Sequence, residues 1–166
     1  MTMPLPAGAP ATLREAFAHI ATVTTPSVLD MKIMALTEAA AMTLYYKTAE
    51  GTDNAAVAAL LQANGREEFL HAQRAAMAVK AVSGEDFFPP LAEDNPYLTD
   101  GAAPFAPVTK AALTGLAQGE FGGEALYEKW AANTDNDEAA RLFRLNGKEE
   151  TDHGNRLMQA AALLPD

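Results

Sequence analysis

The stretch NGREEFLHAQR, residues 64–74, returns as NGKEETDHGNR at 146–156. Two of the chain's three histidines, His71 and His153, therefore follow the same Glu-Glu-x-x pattern 82 residues apart. Shifted by 82, the sequence aligns with itself without a gap over 38–74 and 120–156, with 16 identities in 37 positions. Shared Ala and Leu content does not account for this, so the chain reads as a duplicated helical hairpin. Packing and turn requirements explain the repetition of Leu44, Ala49, Thr52 and Gly65. They do not explain the repeated polar residues.

Apolar residues recur at three and four throughout, which predicts an all-α chain. A first helix is expected over 11–23 and a second from Pro26–Ser27 to about Glu50. The third should follow a break at Gly51, with Thr52 or Asp53 as N-cap, and reach about Val82. Residues 84–107 hold five of the ten prolines and no helical period, which marks a long crossover. Two more helices are expected over about 107–132 and 135–163. The 166 residues then form one domain, a four-helix bundle with an extra short N-terminal helix. Its hairpins span about 27–82 and 107–163, joined by the one crossover.

Composition narrows the function. A net charge of −10 argues against nucleic acid as a partner, since phosphate binding needs clustered Lys and Arg. With no cysteine, the chain can form no disulfide, zinc ribbon, thiolate nucleophile or Cys-held iron–sulfur site. MTMPLPAGAP, residues 1–10, is no signal peptide, and no apolar run is long enough to span a membrane. A cytoplasmic location without membrane contact is expected.

The decisive anomaly is charge on faces that should be buried. Glu68 and His71 continue the stripe Val57, Leu61, Asn64; Glu150 and His153 continue Ala139, Phe143, Asn146. On the partner helices Glu38 lies among Met31, Met34, Ala35, Ala41 and Tyr45, and Glu120 among Leu113, Leu116, Gly123 and Tyr127. An unpaired interior carboxylate costs several kcal/mol. Glu38 and Glu68 flank Asp53 by 15 residues each, and Glu120 and Glu150 flank Asp135 likewise. At 1.5 Å per residue each Glu lies roughly 22 Å from its turn. If the hairpins stack, all six side chains meet in one layer. Four carboxylates match the charge of two divalent ions, and without metal some would take up protons. Two Glu plus two Glu-x-x-His helices is the inward-facing constellation of dinuclear iron or manganese bundles. Glu67 and Glu149 fall about 100° round the helix and should make surface contacts or support the ligands from outside.

On these residues, with E-x6-Y followed by EE-x2-H in each half, the chain resembles the rubrerythrin-like branch of the ferritin-like superfamily. The resemblance implies a di-iron centre of two iron ions, with manganese able to use the same ligands. Carried over, the metal ligands are Glu38, Glu68, His71, Glu120, Glu150 and His153. Glu124 is similar to an additional carboxylate of that family, one turn beyond Glu120; its counterpart in the first half is Met42. Tyr45 and Tyr127, one heptad from Glu38 and Glu120, are candidates to bond ligands across the bundle or to serve as plain core tyrosines. Together with Glu124 they are the candidate catalytic residues. Asn64 and Asn146 lie one turn from ligands; His19 has no acidic partner at ligand spacing and is assigned a structural or surface role. Trp130 is expected to pack near a hairpin turn. Typical rubrerythrins add a four-Cys rubredoxin domain, which a cysteine-free chain lacks, so an external electron donor is implied.

The function expected is a homodimeric oxidoreductase acting on peroxide or dioxygen. Ferritin-type iron oxidation and storage is one alternative. The other is a hydroxylase of a small apolar substrate, which would need an apolar channel beside the metals, covered by the Phe87–Phe88 loop.

Overall fold

The computed structural model describes residues 2–98 and 105–165. Among these residues the chain is a helical bundle with no strand. Its helices are α1 (Leu13–Thr22), α2 (Val28–Ala49), α3 (Ala55–Ser83), α4 (Lys110–Ala132) and α5 (Asp137–Ala162). None is long and apolar enough to cross a membrane. Among the described residues of the expected crossover a 3-10 turn forms at Ala92–Asp94; residues 99–104 lie outside the described residues.

Capping chemistry sets the boundaries. Thr12 with Glu15, and Ser27 with Asp30, close reciprocal capping boxes at α1 and α2. Asp30 also meets His19 Nε2 at 2.6 Å, so His19 does have an acidic partner, but on the next helix. Burial works against the Asp30 carboxylate, yet its bonds from Ser27 and its contact with His19 hold it below the usual range. α3 ends on Gly84 in the left-handed region at φ 75°, with its N–H bonded to Lys80 O.

The N-cap of α3 is Asn54 rather than Thr52 or Asp53: its Oδ1 accepts from Ala56 and Val57 N–H. Asn136 caps α5 in the same way. Each capping Asn then uses its Nδ2 on the end of the opposite helix, Asn54 on Leu163 O and Asn136 on Ala81 O. A repeated Asn thus serves one helix start and one helix end at once, which an ionised Asp, an acceptor only, could not do.

α2 packs along α3, α4 along α5, and α3 against α5. Two apolar clusters fill the ends of the bundle. One gathers Ile20, Met31, Ile33, Trp130 and Phe143, the other Tyr45, Leu61, Leu113 and Leu157. Trp130 is wholly buried, edge-on to Phe143, and its Nε1 donates to Val23 O. Between the two clusters lies a polar layer.

Close helix approach rests on two repeated glycines. A Cβ on Gly65 would lie 3.1–3.3 Å from Tyr45 and Tyr46, and one on Gly147 would lie 2.9 Å from Tyr127 Cβ. Gly147→Ala is therefore expected to destabilise the fold by about 1–3 kcal/mol, because helix backbones rather than a flexible side-chain tip must move. Gly154→Ala is the contrasting case. Its new methyl would stand 2.4–2.8 Å from the ring of Phe121, a side chain that is 38% exposed and has solvent beside it to turn into. Relief of about 0.5–1 kcal/mol of helical glycine cost should leave that variant near neutral. Urea unfolding of both variants checks the ordering.

Candidate metal centre

Four helices supply the polar layer: Glu38 from α2, Glu68 and His71 from α3, Glu120 from α4, Glu150 and His153 from α5. Glu38, Glu68, His71, Glu150 and His153 are buried, and Glu120 is partly so. Three sets of donor atoms lie within 4.8 Å of one another: Glu38, His71 and Glu150; Glu68, His71 and His153; and Glu68, Glu120, Glu150 and His153. The two imidazoles stack with centroids 5.0 Å apart. Among the described residues, the six side chains singled out from the sequence thus come together in buried groups that could bind metal.

The histidines are fixed from behind. His71 Nε2 lies 3.0 Å from Glu149 Oε2, and Arg74 donates to both oxygens of the same carboxylate at 2.6 and 3.1 Å. The other half repeats this arrangement: His153 Nε2 lies 3.1 Å from Glu67, held by Arg156 at 2.7 and 2.9 Å. Burial opposes ionisation of Glu149, but the bonds from His71 and Arg74 outweigh it and carry the carboxyl down to about 2. An ionised carboxylate only accepts, so Nε2 carries the hydrogen and, in a neutral ring, Nδ1 is a bare lone pair. Asn146 adds a further brace, donating to His71 O while accepting from Arg74; Asn64 does the same for His153 O and Arg156.

Both Nδ1 atoms point into the layer. His71 Nδ1 lies 3.2 Å from Glu150 and 3.7 Å from Glu68, and His153 Nδ1 lies 3.1 Å from Glu68. These contacts lack hydrogen-bond direction, and both buried Nδ1 atoms stay without a hydrogen-bond partner. Lone pairs facing carboxylate oxygens repel unless a proton or a cation lies between them. Without metal, protons fill that role. Burial, then the charges of Glu38, Glu120 and Glu150, push Glu68 well above the carboxylate range. Glu150 rises to about 8, chiefly through burial. Burial would lower His71, but its hydrogen bond to Glu149 and the close Glu150 carboxylate prevail and raise it to about 10.

The tyrosines cross the bundle reciprocally. Tyr45 of α2 donates to Glu120 of α4, and Tyr127 of α4 donates to Glu38 of α2. Desolvation, then the neighbouring carboxylates, raise both phenols well above 10, so each keeps its proton.

Glu124 departs from expectation. It is exposed and accepts from Thr151 Oγ1 at 2.6 Å, outside all three donor groups. The α4 backbone at Glu124 packs against Gly147, with Glu124 O 3.4 Å from where a Cβ would stand. Its side chain leaves along the outer surface. Arg74, Arg156 and Gly123 were not foreseen. The arginines carried a signal, since both lie in the repeat. Gly123 makes room for a ligand, since a Cβ there would stand 2.7–3.0 Å from the Glu150 side chain.

A half-open cavity of about 750 Å³ lies between α2 and α4 and reaches Glu38, Glu68, Glu120 and Glu150. Phe17 and Ile20 of α1 help line it, with Met34, Leu44, Leu116 and Leu126. Phe87 and Phe88 do not cover it. With Phe69 and Met77 of α3 they line a separate space of about 370 Å³. Gly115, Gly119 and Gly122 of α4 border the large cavity, and nothing lies within 4 Å of a Cβ at any of them. Each costs a mid-helix position about 0.5–1 kcal/mol relative to alanine, so close packing is not their reason.

No protein-family model, curated protein or solved structure matches this chain.

Proposed function

We propose that the chain is a rubrerythrin-like oxidoreductase whose ferritin-like pair of hairpins holds a dinuclear iron centre, reducing peroxide or activating dioxygen with electrons from an external donor. The observation that carries this reading is the pair of buried Nδ1 lone pairs, each locked by a Glu–Arg brace and aimed at carboxylates. Donors of this kind suit iron, and manganese uses the same ligands.

Glu38, His71 and Glu150 would hold one ion and Glu68, Glu120 and His153 the other, with Glu68 and Glu150 each belonging to two of the donor groups. Bound there, the pair supplies Lewis acidity and exchangeable electrons. The chain's own residues do the rest. Arg74 and Arg156 fix the imidazole tautomers through Glu149 and Glu67. Tyr45 and Tyr127 orient Glu120 and Glu38 and keep a phenolic proton beside the site. The apolar walls of the α2–α4 cavity limit water at its carboxylate edge. Those walls also favour a second reading, oxygenation of an apolar substrate.

Iron-loaded protein is expected to bind two ions per chain, sediment as a homodimer and consume hydrogen peroxide with a small reductant. Fewer than one ion per chain would end the reading. A large shell that mineralises iron would replace it with storage. Inertness to peroxide while an apolar compound is oxygenated would favour the second reading.

A further inference from the structure

The duplication supplies an internal control for the α2–α4 cavity. Shifted by 82 residues, Gly115, Gly119 and Gly122 correspond to Ile33, Thr37 and Ala40. Those three α2 residues are fully buried. On α4 the same face is exposed, and every side chain that would fill it is missing. The two halves therefore differ in this wall, and the difference opens a space directly beside Glu120.

The space has a definite character. Apart from the four carboxylates, Tyr127 and Lys129, its lining is apolar side chains or glycine. Lys129 is engaged at one end, donating to Ala21 O at 3.2 Å. From Gly115 to Lys129 the lining runs along α4 for roughly 21 Å at the rise of a helix. The cleft is thus elongated along α4, a shape that an extended chain fills and a compact ring does not.

We propose that this cleft binds one unbranched alkyl chain, laid along α4 between Leu116 and Leu126 so that it passes beside Glu120 and Glu38. As a substrate site it rests on the metal-centre reading above, but the binding itself needs no metal. Burial of apolar surface drives it, and the volume lies within the range of small-molecule sites.

The test is calorimetric titration of the full chain with 1-decanol, with benzyl alcohol as a short apolar control. One decanol per chain is expected, bound at least tenfold more tightly than benzyl alcohol. Gly119→Leu should weaken decanol binding at least tenfold while folding normally, because its new side chain enters open space and improves helix propensity. Its metal content, by elemental analysis, should match that of the unsubstituted chain. Absence of decanol binding, equal binding of benzyl alcohol, or unchanged binding by G119L would overturn the proposal. So would a dimer that excludes decanol until Gly119→Leu dissociates it, which would assign the cleft to a second copy. Decanol binding by a chain that takes up no metal would support the cleft and remove the metal reading. Two ions bound with no decanol would do the reverse.

Discussion

Replacing Glu68 by glutamine is expected to cut the metal retained by the purified chain from two ions to one or none. Glu68 belongs to two of the three donor groups and faces the Nδ1 of both histidines. An amide is a poor substitute for an anionic oxygen in binding a divalent cation. Outer partners of metal ligands alone are worth about 10–100-fold in affinity, so loss of a shared carboxylate should exceed about 100-fold. The metal-free fold should respond in the opposite direction. Burial and three neighbouring carboxylates disfavour Glu68 as an anion, and a neutral isostere removes that penalty above about pH 5. Elemental analysis after dialysis, paired with thermal melts of chelator-treated protein, reads both effects. Two tightly held ions in E68Q would sink the shared-carboxylate arrangement.

A second large effect concerns pH. In the metal-free chain Glu150 titrates near 8 instead of 4.5, and His71 near 10 instead of 6.5. Both folded-state values are raised, so between each pair of values the folded chain binds more protons than the unfolded one. Stability must then fall as pH rises, through Glu150 between about 4.5 and 8 and through His71 between about 6.5 and 10. With both groups contributing, the chelator-treated protein should lose about 6 kcal/mol between pH 6 and pH 9, or roughly 12–24 °C in Tm. Metal binding releases these protons, so the stabilisation by added iron should grow over the same interval. A metal-free Tm that holds level from pH 6 to 9 would contradict the proton-filled layer.

The reciprocal braces give this behaviour its structural basis. The carboxylates behind the histidines remain charged because each is held by an arginine from across the bundle. Among the described residues, Glu68 and Glu150, inside the layer, have no arginine partner, and burial raises both. One sequence pattern, Glu-Glu-x-x-His, thus places two adjacent carboxyls in opposite electrostatic states, with Glu149 down to about 2 and Glu150 up to about 8.

The sequence by itself determined the helical class, the helix boundaries to within a few residues, the duplication, and the faces on which Glu68, His71, Glu150 and His153 lie. These properties belong to single helices, where 3.6 residues per turn orders side chains without reference to neighbours. Tertiary structure alone decided what crosses between helices. Arg74 reaches Glu149 over 75 residues of chain, Tyr45 reaches Glu120, and Asn54 ends a helix other than the one it begins. It also turned Glu124 outward, since one turn beyond Glu120 a small change in azimuth separates the layer from the surface, and the close approach at Gly147 chose the surface. The α2–α4 cavity lay beyond the reach of periodicity for the same reason: it is a distance between two helices, set by how their neighbours pack.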